Sequence, residues 1–188
     1  PAASGGQPKA LRVLFMTEAC ERFGYYVMVT IFTLYLTQHL KMDDSKAFLV
    51  FGAYYSLAFL STVAGGFAAD RVLGFGWSIM AGAALMAAGY FVLALDRIET
   101  MYLALALLVV GMGVFKANVS ALLGRFYQDD DPRRSVGFTI FYMGINVGAF
   151  LGSLLAGLIA REFGYGVAFA MAGAAQLLAL VFYRIGHR

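Results

Sequence analysis

Three charged residues stand inside an apolar run that begins near residue 13: Glu18, Glu21 and Arg22. A charge at the centre of a membrane helix costs roughly 2.5–3.5 kcal/mol even on lenient insertion scales, so such residues face a bundle interior or a water-filled cavity. On a helix at about 100° per residue, Glu18, Glu21, Arg22, Tyr25, Tyr26 and Val29 share one stripe about 140° wide. Arg22 is about nine residues into the run, roughly 13 Å along the axis, too deep to reach the interface. Two carboxylates face one guanidinium, and the unmatched carboxylate can carry a proton. The competing reading is a static ion pair: Glu18 and Arg22 have i,i+4 spacing, which orients helices without doing work.

Lys116 is the other intruder, about 6 Å from the middle of its own apolar run. It requires an anionic partner, and Glu18 and Glu21 are the only acidic residues at comparable depth. The expected contact is within about 4 Å, directly or through Arg22 or a water. Protonation of the carboxylate would release the lysine, which makes a proton-operated latch. In Phe141-Tyr-Met-Gly-Ile-Asn-Val-Gly148, residues Gly144, Gly148 and Gly152 recur every fourth position, a ridge for close helix packing. Tyr142 and Asn146 lie on the opposite side, and an interhelical hydrogen bond by Asn146 is as well supported as a ligand contact. Asp70-Arg71 ends another run before Gly74, where Asp70 could cap the next helix or bind helix ends.

These residues need a frame that buries them. Of the 188 residues, 61% are hydrophobic and 13% charged. Soluble domains are about 45–50% apolar and about 25% charged, so this is the composition of a membrane protein. Six runs are long enough to span a bilayer: 13–37, 47–69, 77–95, 101–124, 136–160 and 167–183. They are continuous rather than alternating, which excludes a β-barrel and predicts an all-α, polytopic membrane protein with six transmembrane helices. The first run is too long for a signal-peptide core and no small-residue cleavage site ends it, so it is read as a retained span. Residues 1–12 are then a tail, 13–183 a six-helix bundle and 184–188 a following linker. Lys9, Arg12, Arg71, Arg125, Arg133, Arg134, Arg184 and Arg188 fall on one side of the membrane, and Lys41, Lys46, Arg97 and Arg161 on the other. The richer side is cytoplasmic, which places both termini there.

Cys20 is the single cysteine and points away from the polar stripe; His39 and His187 are the only histidines, both near span ends. No nucleophile–base pair and no metal-ligand cluster emerges, so an enzyme is not expected. The net charge of +3, without a Lys/Arg-rich run, argues against a nucleic-acid partner. What remains is a membrane scaffold held by its ion pairs or a transporter driven by protons. One proton crossing about 150–200 mV releases roughly 3.5–4.6 kcal/mol, enough for a several-hundred-fold gradient.

Together these motifs resemble the proton-dependent oligopeptide transporters, a branch of the major facilitator superfamily. Glu18-Ala-Cys-Glu21-Arg22-Phe23-Gly-Tyr25-Tyr26 reproduces the family's E-x-x-E-R-F-x-Y-Y without a gap. The segments around Lys116, around Asn146 and at Asp70-Arg71 resemble its fourth-span, fifth-span and loop motifs. The resemblance implies the N-terminal half of a twelve-span fold, with a C-terminal six-helix half as partner and the plasma or inner membrane as location. It implies proton-coupled symport of di- and tripeptides, with Glu18, Glu21, Arg22 and Lys116 coupling protons and no other cofactor. Tyr25, Tyr26, Tyr142 and Asn146 would serve the peptide site, and Asp70 and Arg71 a gating loop. Two departures fall in that site: Val29 replaces a usual basic residue, and Phe59 a usual tyrosine. Val29 leaves a non-peptide substrate as the alternative.

Overall fold

The computed structural model describes residues 6–128 and 130–186. Six helices carry the fold: α1 (Lys9–Leu34), α2 (Asp44–Ala68), α3 (Phe75–Leu93), α4 (Ile98–Gly124), α5 (Arg133–Phe163) and α6 (Tyr165–Gly186). Two of them end in a wider π-helical turn, Tyr35–His39 after α1 and Ala69–Leu73 after α2. There is no strand among the described residues. The helices overrun the apolar spans, since α1 begins at Lys9 and α6 continues to Gly186. His187 and Arg188, like residues 1–5, lie outside the described residues.

Local chemistry sets the breaks. Asp43 caps α2 by accepting from the Ser45 amide at 3.1 Å. Before α5, whose N-cap is Pro132, the Asp131 side chain accepts from the Arg133 amide at 2.9 Å. Gly74 (φ 72°) and Gly164 (φ 91°) turn the chain through conformations that a side chain resists. The N-cap of α3 is Gly74, with no side chain bonded to it, so Asp70 does not cap that helix as its position had implied. It sits exposed within the π-helical turn, still on the preceding element.

Five helices, α2 with its π-turn and α3 to α6, are long and apolar enough to cross a membrane. α1 is equally long but carries Glu18, Glu21 and Arg22 midway. It is therefore the helix that most needs covering, and it packs between α5 and α6. α3 packs on α4 and α6, and α2 on α4. The α5 glycine ridge does what its spacing implied: Gly144, Gly148 and Gly152 bring the α5 backbone against Phe15, Ala19 and Phe23 of α1. Gly65 and Gly113 make a second such approach between α2 and α4, which the sequence did not reveal. Large apolar side chains such as Leu60, Val63, Phe150 and Leu154 stay exposed on α2 and α5, as lipid or another helical surface would allow.

Candidate functional site: a buried ion cluster on α1

The α1 stripe points into the bundle. Glu18 is 5% exposed, Glu21 1% and Arg22 5%. Arg22 forks onto Glu21: its Nη2 donates to Oε1 at 2.7 Å, and its Nε donates to the other carboxylate oxygen. Glu18 is the looser partner, with Oε1 3.4 Å from Arg22 Nε. The i,i+4 spacing had made Glu18 the natural mate. The fork goes instead to the adjacent residue, because a planar guanidinium gains most from two parallel bonds to one carboxylate. The face of Tyr25 closes the other side, with its ring centroid 4.7 Å from Arg22 Cζ. Tyr26 stands edge-on to Tyr25 at 5.4 Å and, like Val29, is half-buried.

Lys116 makes no ion pair within 4.0 Å among the described residues, so the direct form of the expected contact with a carboxylate is not made. Its ammonium sits 4.3 Å from the ring centroid of Phe59 on α2. Arg22 has already engaged both carboxylates, and an aromatic face is the available substitute for an anion. Lys116 remains within electrostatic reach of Glu18 and Glu21. Phe59 is thereby part of the cluster's rim, and it packs on Tyr55 at 4.9 Å.

Tyr142 and Asn146 project from the uncovered side of α5 and are exposed. The Asn146 side chain makes no hydrogen bond among the described residues, so the interhelical bond that was one of its two readings is not formed within this chain. Arg71 lies over Phe67, 4.8 Å from its centroid, and holds the end of its own helix.

Sequence reasoning missed a second polar contact at the opposite end of α1. His39 Nε2 is 2.8 Å from Asp96 Oδ2, beside a cavity of about 610 Å³ that both residues line with Tyr165. The available signal was a histidine at a span end and an aspartate in the loop after α3.

A family model described as "POT family" matches residues 76–188. Dipeptide and tripeptide permease B of Xenorhabdus bovienii is 38% identical over 179 residues, covering 94% of this chain. The chain belongs to the POT family. The permease of the same name from Salmonella typhimurium is 37% identical over 179 residues, also 94% of this chain. Among solved structures, a peptide transporter POT in complex with sulfate superposes with a TM-score of 0.92 at 36% identity, covering 97% of this chain and 38% of that one. A POT family transporter in complex with 5-aminolevulinic acid superposes with a TM-score of 0.92 at 30% identity, covering 97% of this chain and 39% of that one. The chain spans 37% of the length of both permeases. With its apolar helices, this POT family chain is a multi-pass membrane protein.

Proposed function

We propose that the chain is the N-terminal six-helix bundle of a proton-coupled symporter of small peptides in the cytoplasmic membrane. The observation that carries this is the buried cluster of two carboxylates around one guanidinium. Burial makes two anions beside one cation unfavourable, so one carboxylate takes a proton. Glu18, held more loosely, is the one that does so while Arg22 grips Glu21. Protons are the coupling ion and no other cofactor is needed. The permease names of the relatives support peptides as cargo.

Tyr26, Val29, Tyr142 and Asn146 line the path on the side left uncovered, with Lys116 and Phe59 at its rim. A C-terminal six-helix half covers the bare sides of α2 and α5. Residues 1–12 and 184–188 flank the 13–183 bundle on the cytoplasmic side, as the Lys/Arg asymmetry favours. Asp70 and Arg71 form a loop that gates from that side.

The test uses the full-length protein in liposomes with an inward proton gradient and labelled dipeptide. Glu18→Gln and Glu21→Gln should each end uphill accumulation while peptide counterflow remains measurable. Undiminished uphill transport in both variants would remove the cluster from coupling. A second reading, a non-peptide substrate, draws on Val29, which puts an aliphatic group where a peptide carboxylate would want a cation. Failure of both di- and tripeptides to compete for uptake would favour it.

A further inference from the structure

Gln176 of α6 has no exposed surface, and neither its amide nitrogen nor its amide oxygen has a hydrogen-bond partner among the described residues. An amide in that condition has given up water for nothing, so a native chain that keeps it there has a use for it. Its position indicates the use. α1 and α6 run antiparallel, and two contacts fix their register: a Cβ on Gly24 would lie 3.1 Å from the Ala172 carbonyl oxygen, and Val13 abuts Gly186. One turn back along α1 from Gly24 lies Glu21, and one turn on along α6 from Ala172 lies Gln176. The two residues therefore stand at one level.

They also lean into one seam. Tyr90 of α3 meets the Gly24 Cβ position at 3.3 Å, and Phe91 of α3 meets that of Gly173 at 3.1 Å. Gln176 is about 40° around α6 from Ala172, toward the Gly173 side and so toward α3. Glu21 is about 60° around α1 from Gly24. Within electrostatic reach of Glu21 are Glu18, Arg22 and Tyr25 on α1, Tyr54 from α2, Tyr90 from α3 and Lys116 from α4. Gly148 of α5 lies against Arg22. Of these groups, Arg22 and Lys116 can only donate, Glu18 is taken up by Arg22 once the guanidinium leaves Glu21, and the phenols have protons of their own to place; the Gln176 carbonyl is a strong neutral acceptor with no partner among the described residues.

One guanidinium between two carboxylates has two arrangements. In the one seen, Arg22 grips Glu21 and the proton belongs on Glu18. In the other, Arg22 turns to Glu18 and the same proton sits on Glu21, with the guanidinium charged throughout. We propose that Gln176 is a positioning residue for the second arrangement, accepting at Oε1 the O–H of protonated Glu21 once Arg22 has let it go. This rests on the coupling role proposed above for the cluster, and adds α6 to the elements that respond to the proton.

The test is Gln176→Met in the full-length protein, which keeps the side-chain shape and removes the amide. Gln176→Leu is the second variant should the first not fold. Loss of one hydrogen bond to the protonated form should move the pH profile of proton-driven dipeptide uptake about one unit toward acid. On its alkaline flank uptake should fall about tenfold. The infrared carbonyl band of protonated Glu21, identified by its loss in Glu21→Gln, should shift in the same variant. A wild-type profile with that band unmoved overturns the inference. If Glu21→Gln and Glu18→Gln both keep uphill transport, the coupling reading itself falls. If they lose it and Gln176→Met matches wild type, only the role of Gln176 falls.

Discussion

Truncating either carboxyl removes one partner of Arg22 from the same buried cluster, yet the geometry demands unequal costs. Glu21→Ala takes away both acceptors of the Arg22 fork, one at 2.7 Å. It leaves a guanidinium that is 5% exposed with Glu18 as its remaining carboxylate contact, at 3.4 Å. Breaking a buried pair in this way costs about 3–5 kcal/mol, because the stranded charge keeps its desolvation penalty and loses its compensation. Glu18→Ala removes a carboxyl that carries the proton in this arrangement and loses only a 3.4 Å contact, so its net cost should be smaller, about 1–2 kcal/mol. For a folding unit of about 150–250 residues the first loss corresponds to a Tm drop of about 6–20 °C and the second to a few degrees. Thermal unfolding of the full-length protein in detergent, followed by fluorescence, reads both. Adding Arg22→Met to Glu21→Ala removes the stranded charge and should recover most of the loss. Equal destabilisation by Glu18→Ala and Glu21→Ala, or no recovery in the double variant, would refute the assignment of the fork to Glu21.

The α1–α5 seam gives a packing prediction. Gly148→Val forces a side chain onto the Ala19 carbonyl and the Arg22 Cβ, and should cost about 1–3 kcal/mol. Gly157→Ala, which meets nothing within 4 Å, should be neutral or slightly stabilising by the same melting assay. Phe59→Leu removes the aromatic face under Lys116 and should lower stability by about 0.5–2 kcal/mol, with Phe59→Tyr retaining it. At the start of α5, bonds from the Arg133 side chain and amide hold the Asp131 carboxyl below its usual range. A carboxyl lowered by folding stabilises above its unfolded value of about 3.9 and ceases to do so as pH falls through its folded value, so a small acid-side drop in Tm should be missing in Asp131→Asn. A cysteine in place of Asp44 should react with an impermeant thiol reagent from outside intact cells, and labelling only after permeabilisation would invert the proposed orientation.

Much of this protein is written in where its sequence breaks the apolar rule. Carboxylates and an arginine deep in a hydrophobic run are tolerable only on a buried face, so Glu18, Glu21 and Arg22 declare both their depth and their direction. The glycines of α5 declare a close approach, because a four-residue period places them on one line and only small residues let backbones touch. Both inferences use one helix at a time, and helix geometry is fixed by the backbone alone. What required the tertiary structure is the choice among partners that several helices offer. Spacing favoured Glu18 for Arg22, but the bidentate fit favoured Glu21. Depth favoured a carboxylate for Lys116, but α2 brought Phe59 within reach and Arg22 had engaged the anions first. Gln176 reads as an ordinary polar residue until the register of α6 on α1 sets it, unpartnered, level with Glu21. A sequence fixes which groups must be satisfied; which neighbour satisfies them depends on side-chain reach and on the order in which competing contacts are filled, and those are properties of the packed bundle.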